Sequence, residues 1–148
     1  MTIEKTLKVR LHNYYLEVLT NAREDKHPDT KQYADIFSIY CKCILDACSD
    51  LCGVSEEMKV YAAELKDALT REVAFLERQH DLSVARQGLE KITWYRELSE
   101  LLAVLSDDDI IYVYNHSGRA ASTYIDDIKY FHGIIEEMQI KYNLRVSK

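Results

Sequence analysis

The scarcity of glycine and proline constrains this chain more than any other feature, since its 148 residues include four glycines and one proline. A mainly β protein of this length needs many tight turns, and tight turns draw heavily on these two residues. Long stretches of the chain instead place apolar residues three and four positions apart, as one face of an α-helix does. The sequence therefore predicts an all-α fold, a compact antiparallel bundle of five long helices and one short helix.

Capping residues, Pro28 and the glycines indicate where the helices begin and end. We predict long helices over residues 3–23, 28–52, from 55 to a break at 80–83, from that break to 105, and over 119–143, with a short helix after Ser106. The break is expected because an unbroken helix from 55 to 105 would be long for a compact domain. Residues 110–114 have the propensity of a strand, but a lone strand has no partner, so we interpret them as helix.

Size and polarity are those of a globular protein. An apolar fraction of 47% and a charged fraction of 30% are typical of a folded chain. A chain of 148 residues fits one domain, which we predict to span residues 1–148. No apolar run approaches the ~20 residues that a membrane helix needs, and residues 1–8 lack the apolar core of a secretion signal. We therefore expect a cytoplasmic protein, in its own cell or in a host cell.

Four cysteines, Cys41, Cys43, Cys48 and Cys52, lie within one predicted helix. Cysteines on one helix cannot easily reach the geometry of a disulfide, so we expect free thiols. Structural zinc sites usually take paired cysteines from a turn and a second pair from elsewhere, whereas free cysteine is often buried. We predict that these cysteines pack in the core, and any role beyond packing stays open.

The pair His80-Asp81 is preceded by His27 and followed by an acidic run at 107–109. In this order the residues resemble the metal-dependent phosphohydrolases of the HD family, which are helical and use a histidine, a later His-Asp pair and a distant aspartate. The resemblance implies a metal held by His27, His80, Asp81 and one aspartate of the run. The other interpretation is that His80 ends a helix and Asp81 caps the next one.

The motif Glu77-x-x-His80 matches half of a ferritin-like di-iron site. Such a site needs the Glu-x-x-His pair twice, together with two further glutamates. The sequence has no second copy, so we do not predict a di-iron centre.

Residues 107–131 have the order helix, turn with Gly118, helix, which is also the order of a DNA-binding helix-turn-helix. The second helix would carry Asp126 and Asp127 against Arg119 and Lys129. Binding to the phosphate backbone needs net positive charge, so we expect no direct binding of nucleic acid.

Charge is distributed unevenly along the chain. Residues 97–137 include nine acidic and two basic residues, a formal charge of −7. The rest of the chain has sixteen acidic and seventeen basic residues, a formal charge of +1. Nearly all of the net charge of −6 therefore lies in this one segment.

The acidic segment and its flanks are also rich in aromatic residues, since eight of the fifteen in the chain lie from Trp94 to Tyr142. Tyrosine is enriched at protein interfaces, and an acidic surface attracts a basic one. We therefore predict a non-catalytic interaction module without cofactor or metal, such as an inhibitor, an immunity-type protein or an adaptor, which binds a basic protein partner. The predicted partner-binding residues are Asp107, Asp108, Asp109, Tyr112, Tyr114, Asp126, Asp127 and Tyr130.

Three alternatives stay open for this segment and for the chain. The tyrosines could fill a core while the aspartates merely cap a helix. The aromatic surface could join two copies of the chain, which would make the protein a homo-oligomer. The metal-dependent phosphohydrolase of the HD type is the alternative function.

Overall fold

The computed structural model describes residues 2–118 and 124–144. Within these ranges the chain forms six α-helices and no strand, so the predicted all-α fold is confirmed, and residues 110–114 are helical. The helices are α1 (Ile3–Glu24), α2 (Thr30–Leu51), α3 (Glu56–Glu90), α4 (Arg96–Leu102), α5 (Asp107–His116) and α6 (Ile125–Lys141). None of the helices in the described part of the chain combines the length and the apolar character needed to cross a bilayer.

The helices belong to two compact units, residues 1–80 and residues 81–148. The boundary falls inside α3, so the first part of this helix contributes to one unit and its last part to the other. That residues 1–148 form a single domain stays a prediction.

The first unit is built from α1, α2 and the first part of α3. Side chains cap the first turn of each helix, because Thr2, Asp29 and Ser55 accept hydrogen bonds from backbone N–H groups there. The buried residues that form its core are Leu7, Leu11, Val18, Leu19, Ala22, Phe37, Cys41, Ile44, Cys48, Met58, Ala62, Leu69 and Val73.

Two of the four cysteines occupy the core, as predicted, and two do not. Cys41 and Cys48 are buried, whereas Cys43 and Cys52 are exposed, and all four are free thiols. Burial raises the pKa of Cys41 to about 11, so this thiol stays protonated at neutral pH. Core packing therefore explains Cys41 and Cys48 but not the two exposed cysteines.

The second unit is built from the last part of α3 together with α4, α5 and α6. Ser106 caps α5, since its hydroxyl accepts a hydrogen bond from the backbone N–H of Asp109. The buried residues of its core are Leu82, Ala85, Leu89, Ile92, Leu98, Leu101, Leu105, Ile110, Val113, Phe131, Ile134, Ile135 and Met138.

The predicted break at 80–83 is wrong, because α3 continues through it to Glu90. This stretch contains neither glycine nor proline, and its polar residues are tolerated inside a helix. The chain instead leaves the helical path after Glu90, and α4 begins at Arg96. The predicted fourth helix up to residue 105 is therefore divided between the end of α3 and a short α4 of 7 residues.

The described part of the predicted last helix is α6, which begins at Ile125 and ends at Lys141. The predicted start at residue 119 and the position of Arg119 lie outside the described residues.

Candidate functional site

Helices α5 and α6 form an antiparallel pair in the second unit. At one end, the start of α5 meets the end of α6, where Lys141 Nζ lies 2.8 Å from Asp109 Oδ2. At the other end, the Tyr130 hydroxyl near the start of α6 lies 3.3 Å from Nδ1 of His116, the last residue of α5. Side chains of both helices that flank the seam therefore line a common surface.

Six side chains lie along this seam: contacts join Tyr112, His116, Tyr130 and Glu137, and helical spacing places Asp108 and Asp126 beside them. Three follow one another at intervals of four residues on α5, and three lie on α6 at offsets of four and seven, which keeps each set on one helix face. We call this set the α5–α6 face, and it comprises Asp108, Tyr112, His116, Asp126, Tyr130 and Glu137.

Ring contacts hold the centre of the α5–α6 face together. The His116 ring centroid lies 4.8 Å from that of Tyr112 and 5.5 Å from that of Tyr130. Burial and the negative charge of Glu137 raise the pKa of Tyr112, so its phenol stays protonated and can donate a hydrogen bond. The three carboxylates around the rings give the face a formal charge of −3 when His116 is neutral.

Four of the eight predicted binding residues lie on this face. Asp108 and Asp126 are exposed, Tyr130 is 41% exposed, and Tyr112 is half-buried. For these four residues, the acidic side chains and the tyrosines therefore lie on one surface. Their role in binding a partner stays a prediction.

Asp109, by contrast, points into the protein. It is 8% exposed, and its carboxylate accepts hydrogen bonds from Lys141 and from the Tyr142 hydroxyl. These hydrogen bonds hold the pKa of Asp109 below its usual range. Its carboxylate therefore links α5 to α6 and is covered from solvent.

The other three predicted residues have different surroundings. Asp107 lies 3.5 Å from Arg86 of α3, measured between the carboxylate and guanidinium groups. Tyr114 is half-buried, with its ring against Gly88 of α3. Asp127 is half-buried in the first turn of α6.

His116 and Glu137 belong to the face but were not predicted. The sequence could have identified His116, because it lies four residues after Tyr112 and therefore beside it on one helix. Glu137 lies seven residues after Tyr130, again on one helix face. The sequence did not reveal that α5 and α6 pair along this seam, and that pairing brings both residues to the tyrosines.

Two residues of the metal set that the HD resemblance implies, His27 and His80, are in contact in the first unit. His27 Nδ1 lies 2.9 Å from His80 Nε2. The described residues contain no group of three or more histidine, cysteine, aspartate or glutamate side chains arranged to hold a metal ion. The resemblance to the HD family implied that these two histidines lie close together, and the hydrolase hypothesis stays a prediction.

Comparison of the chain with protein-family models, with curated protein sequences and with solved structures found no match.

Proposed function

We propose that this chain is a non-catalytic binding protein whose α5–α6 face docks on a basic surface of another protein. The observation that supports this proposal is the clustering of two tyrosines and three carboxylates along one seam of the second unit. Roles as an inhibitor, an immunity-type protein or an adaptor need a binding surface and no active site.

The carboxylates supply the attraction and the orientation. Asp108, Asp126 and Glu137 carry charges of one sign, which speed the encounter with a basic surface and disfavour an acidic one. Their effect is screened by salt, because the charges lie at the surface and the Debye length is about 8 Å at physiological ionic strength.

The tyrosines supply contact area with little loss of conformational entropy on binding. The Tyr112 and Tyr130 rings are already held by the ring of His116, so binding immobilises less than it would for free side chains. An aromatic face also attracts a guanidinium or ammonium group. We therefore expect arginine and lysine side chains of the partner to lie against these rings.

Charge reversal on the face tests the proposal. The variant D108K/D126K/E137K reverses three charges on the face, and D35K/D46K/D50K makes the same change in net charge at exposed positions of α2. A partner captured from the native host with the wild-type chain is purified, and its binding to each protein is measured by surface plasmon resonance at low and physiological salt.

We expect the first variant to slow association by roughly tenfold or more at low salt, and to reverse the salt dependence, because salt then screens a repulsion instead of an attraction. The α2 variant is expected to bind like the wild type. Equal loss in both variants would mean that only net charge matters, and unchanged binding by the first variant would refute the proposal. Circular dichroism confirms that each variant is folded.

The second hypothesis is the metal-dependent phosphohydrolase, and the contact between His27 and His80 favours it. In that case the chain hydrolyses a phosphate ester in the presence of Mn²⁺, and Asp81→Asn lowers the rate because the family uses the aspartate of the His-Asp pair. Absence of Mn²⁺-dependent hydrolysis in the wild type counts against it.

A further inference from the structure

The chain has five histidines, and all five lie in the described ranges. Three of them have tyrosine hydroxyls as ring-nitrogen partners: His12 contacts Tyr61, His116 contacts Tyr130, and His132 contacts Tyr95. The other two, His27 and His80, contact each other. This pair therefore differs chemically from the remaining histidines.

The two imidazoles meet edge to face, with nitrogen facing nitrogen. Their ring planes are inclined at 85°, with centroids 4.7 Å apart, and the facing atoms are 2.9 Å apart. One ring donates its N–H to the other, and which ring donates depends on the tautomer. If the donating ring carries its proton on its other nitrogen instead, both facing nitrogens present lone pairs to the same point.

Two carboxylates lie close along the chain to the two histidines. Asp25 lies two residues before His27, accepts a hydrogen bond from its backbone N–H, and interacts electrostatically with both imidazoles. Glu77 lies one helical turn before His80 on α3, and its carboxylate accepts two hydrogen bonds of 2.6 Å from Thr30. Negative charge near the two imidazoles favours a cation between them.

We propose that His27 and His80 form a two-imidazole site for a borderline divalent transition-metal ion such as Zn²⁺. Imidazole nitrogen is a preferred ligand for such ions, and a small opening of the pair brings both nitrogens to the usual Zn–N distance of about 2.0–2.1 Å from a shared ion. Water or a side chain of a partner protein completes the coordination. The ion replaces the hydrogen bond between the rings, and the displaced proton moves to the outer nitrogen of the same ring.

The site differs from that of the resembling phosphohydrolases, because it requires neither Asp81 nor the aspartates at 107–109. It also has a structural consequence. His27 belongs to the link between α1 and α2, and His80 belongs to α3, so a bound ion ties this link to α3. An ion that binds the folded state and not the unfolded one stabilises the fold by mass action.

The exposed thiols of Cys43 and Cys52 would also bind Zn²⁺, so the test uses the background variant C43S/C52S. Binding of Zn²⁺ is measured by isothermal titration calorimetry, and the melting temperature is followed with and without the ion. The test variants add His27→Ala or His80→Ala to this background. The matched controls add His116→Ala or His132→Ala, each of which also removes one imidazole.

We expect one Zn²⁺ per chain in the background variant, and a rise in melting temperature of roughly 5 °C at a free Zn²⁺ concentration about ten times the dissociation constant. Both test variants should bind Zn²⁺ at least about tenfold more weakly and show no thermal shift. Both controls should retain the binding and the thermal shift. His80→Gln, which retains a polar side chain, serves if His80→Ala does not fold. The two-imidazole site is overturned if the background variant shows no saturable Zn²⁺ binding. It is also overturned if only one of the two substitutions, at His27 or at His80, removes the binding.

Discussion

Asp109 and Lys141 fasten the start of α5 to the end of α6, with the ammonium nitrogen 3.0 and 2.8 Å from the two carboxylate oxygens. The carboxylate also accepts a hydrogen bond from Tyr142. Because Asp109 is almost entirely covered while the Lys141 side chain is 57% exposed, the aspartate depends on this contact more than the lysine does. The contact fixes the alignment of the two helices that carry the α5–α6 face.

Asp109→Asn is therefore expected to lower the free energy of unfolding by about 2 kcal/mol, because it removes a charged acceptor and turns an amide toward the Lys141 ammonium group. Urea denaturation followed by circular dichroism measures the change. Glu100→Ala, an exposed position on α4, is the control and should change stability by less than about 0.5 kcal/mol. Equal effects of both substitutions would show that Asp109 does not anchor the pair.

The same contact predicts a pH dependence. Hydrogen bonds from Lys141 and Tyr142 lower the pKa of Asp109 in the folded protein relative to its ordinary value. A lowered folded-state pKa stabilises the fold above the unfolded-state value of about 3.9, and this stabilisation is lost as the pH falls through the folded-state pKa. The stability difference between wild type and Asp109→Asn should thus shrink between pH 7 and pH 3. A difference that is constant with pH would contradict this expectation.

The helical periods and caps were sufficient to predict the fold class, but they misplaced the break in α3. Val73 and Leu82 are consecutive buried residues of α3, with the partly buried Leu76 between them, and they lie nine residues or two and a half helical turns apart. An unbroken helix accommodates such a change of phase in the apolar pattern as well as a broken one does. Because residues 80–83 include no glycine or proline, the spacing alone could not distinguish a broken helix from an unbroken one.

The α5–α6 face was predictable only in part, for a different reason. Local spacing relates Asp108 to Tyr112 within one helix. The contacts that unite the two helices join residues 32 positions apart, as in Asp109 and Lys141, or 14 apart, as in His116 and Tyr130. These pairings depend on how the cores pack, which no local pattern in the sequence specifies. The burial of Asp109 was missed for the same reason.

Thiol reactivity should divide the four cysteines into two pairs. Cys41 and Cys48 are 2% and 0% exposed, and burial raises the pKa of both thiols, so little reactive thiolate is present or accessible. Titration with a thiol-specific chromogenic reagent at pH 7.5 should therefore show two equivalents that react fast, from Cys43 and Cys52, and two that react only after unfolding. C43S/C52S should lose the fast phase, and four fast equivalents would contradict the burial of Cys41 and Cys48.

Gly88 of α3 offers a final test, because alanine normally stabilises a helix relative to glycine by up to about 1 kcal/mol. A Cβ atom at Gly88 would overlap the Tyr114 ring, with Cδ1 at 3.0 Å. We therefore expect Gly88→Ala to cost about 1–3 kcal/mol in the free energy of unfolding. Gly133→Ala in α6, where a Cβ atom meets nothing within 4 Å, should stabilise instead. Tyr114→Ala should abolish the penalty in a double-mutant cycle, and a penalty that persists without the ring would show that Tyr114 does not pack there.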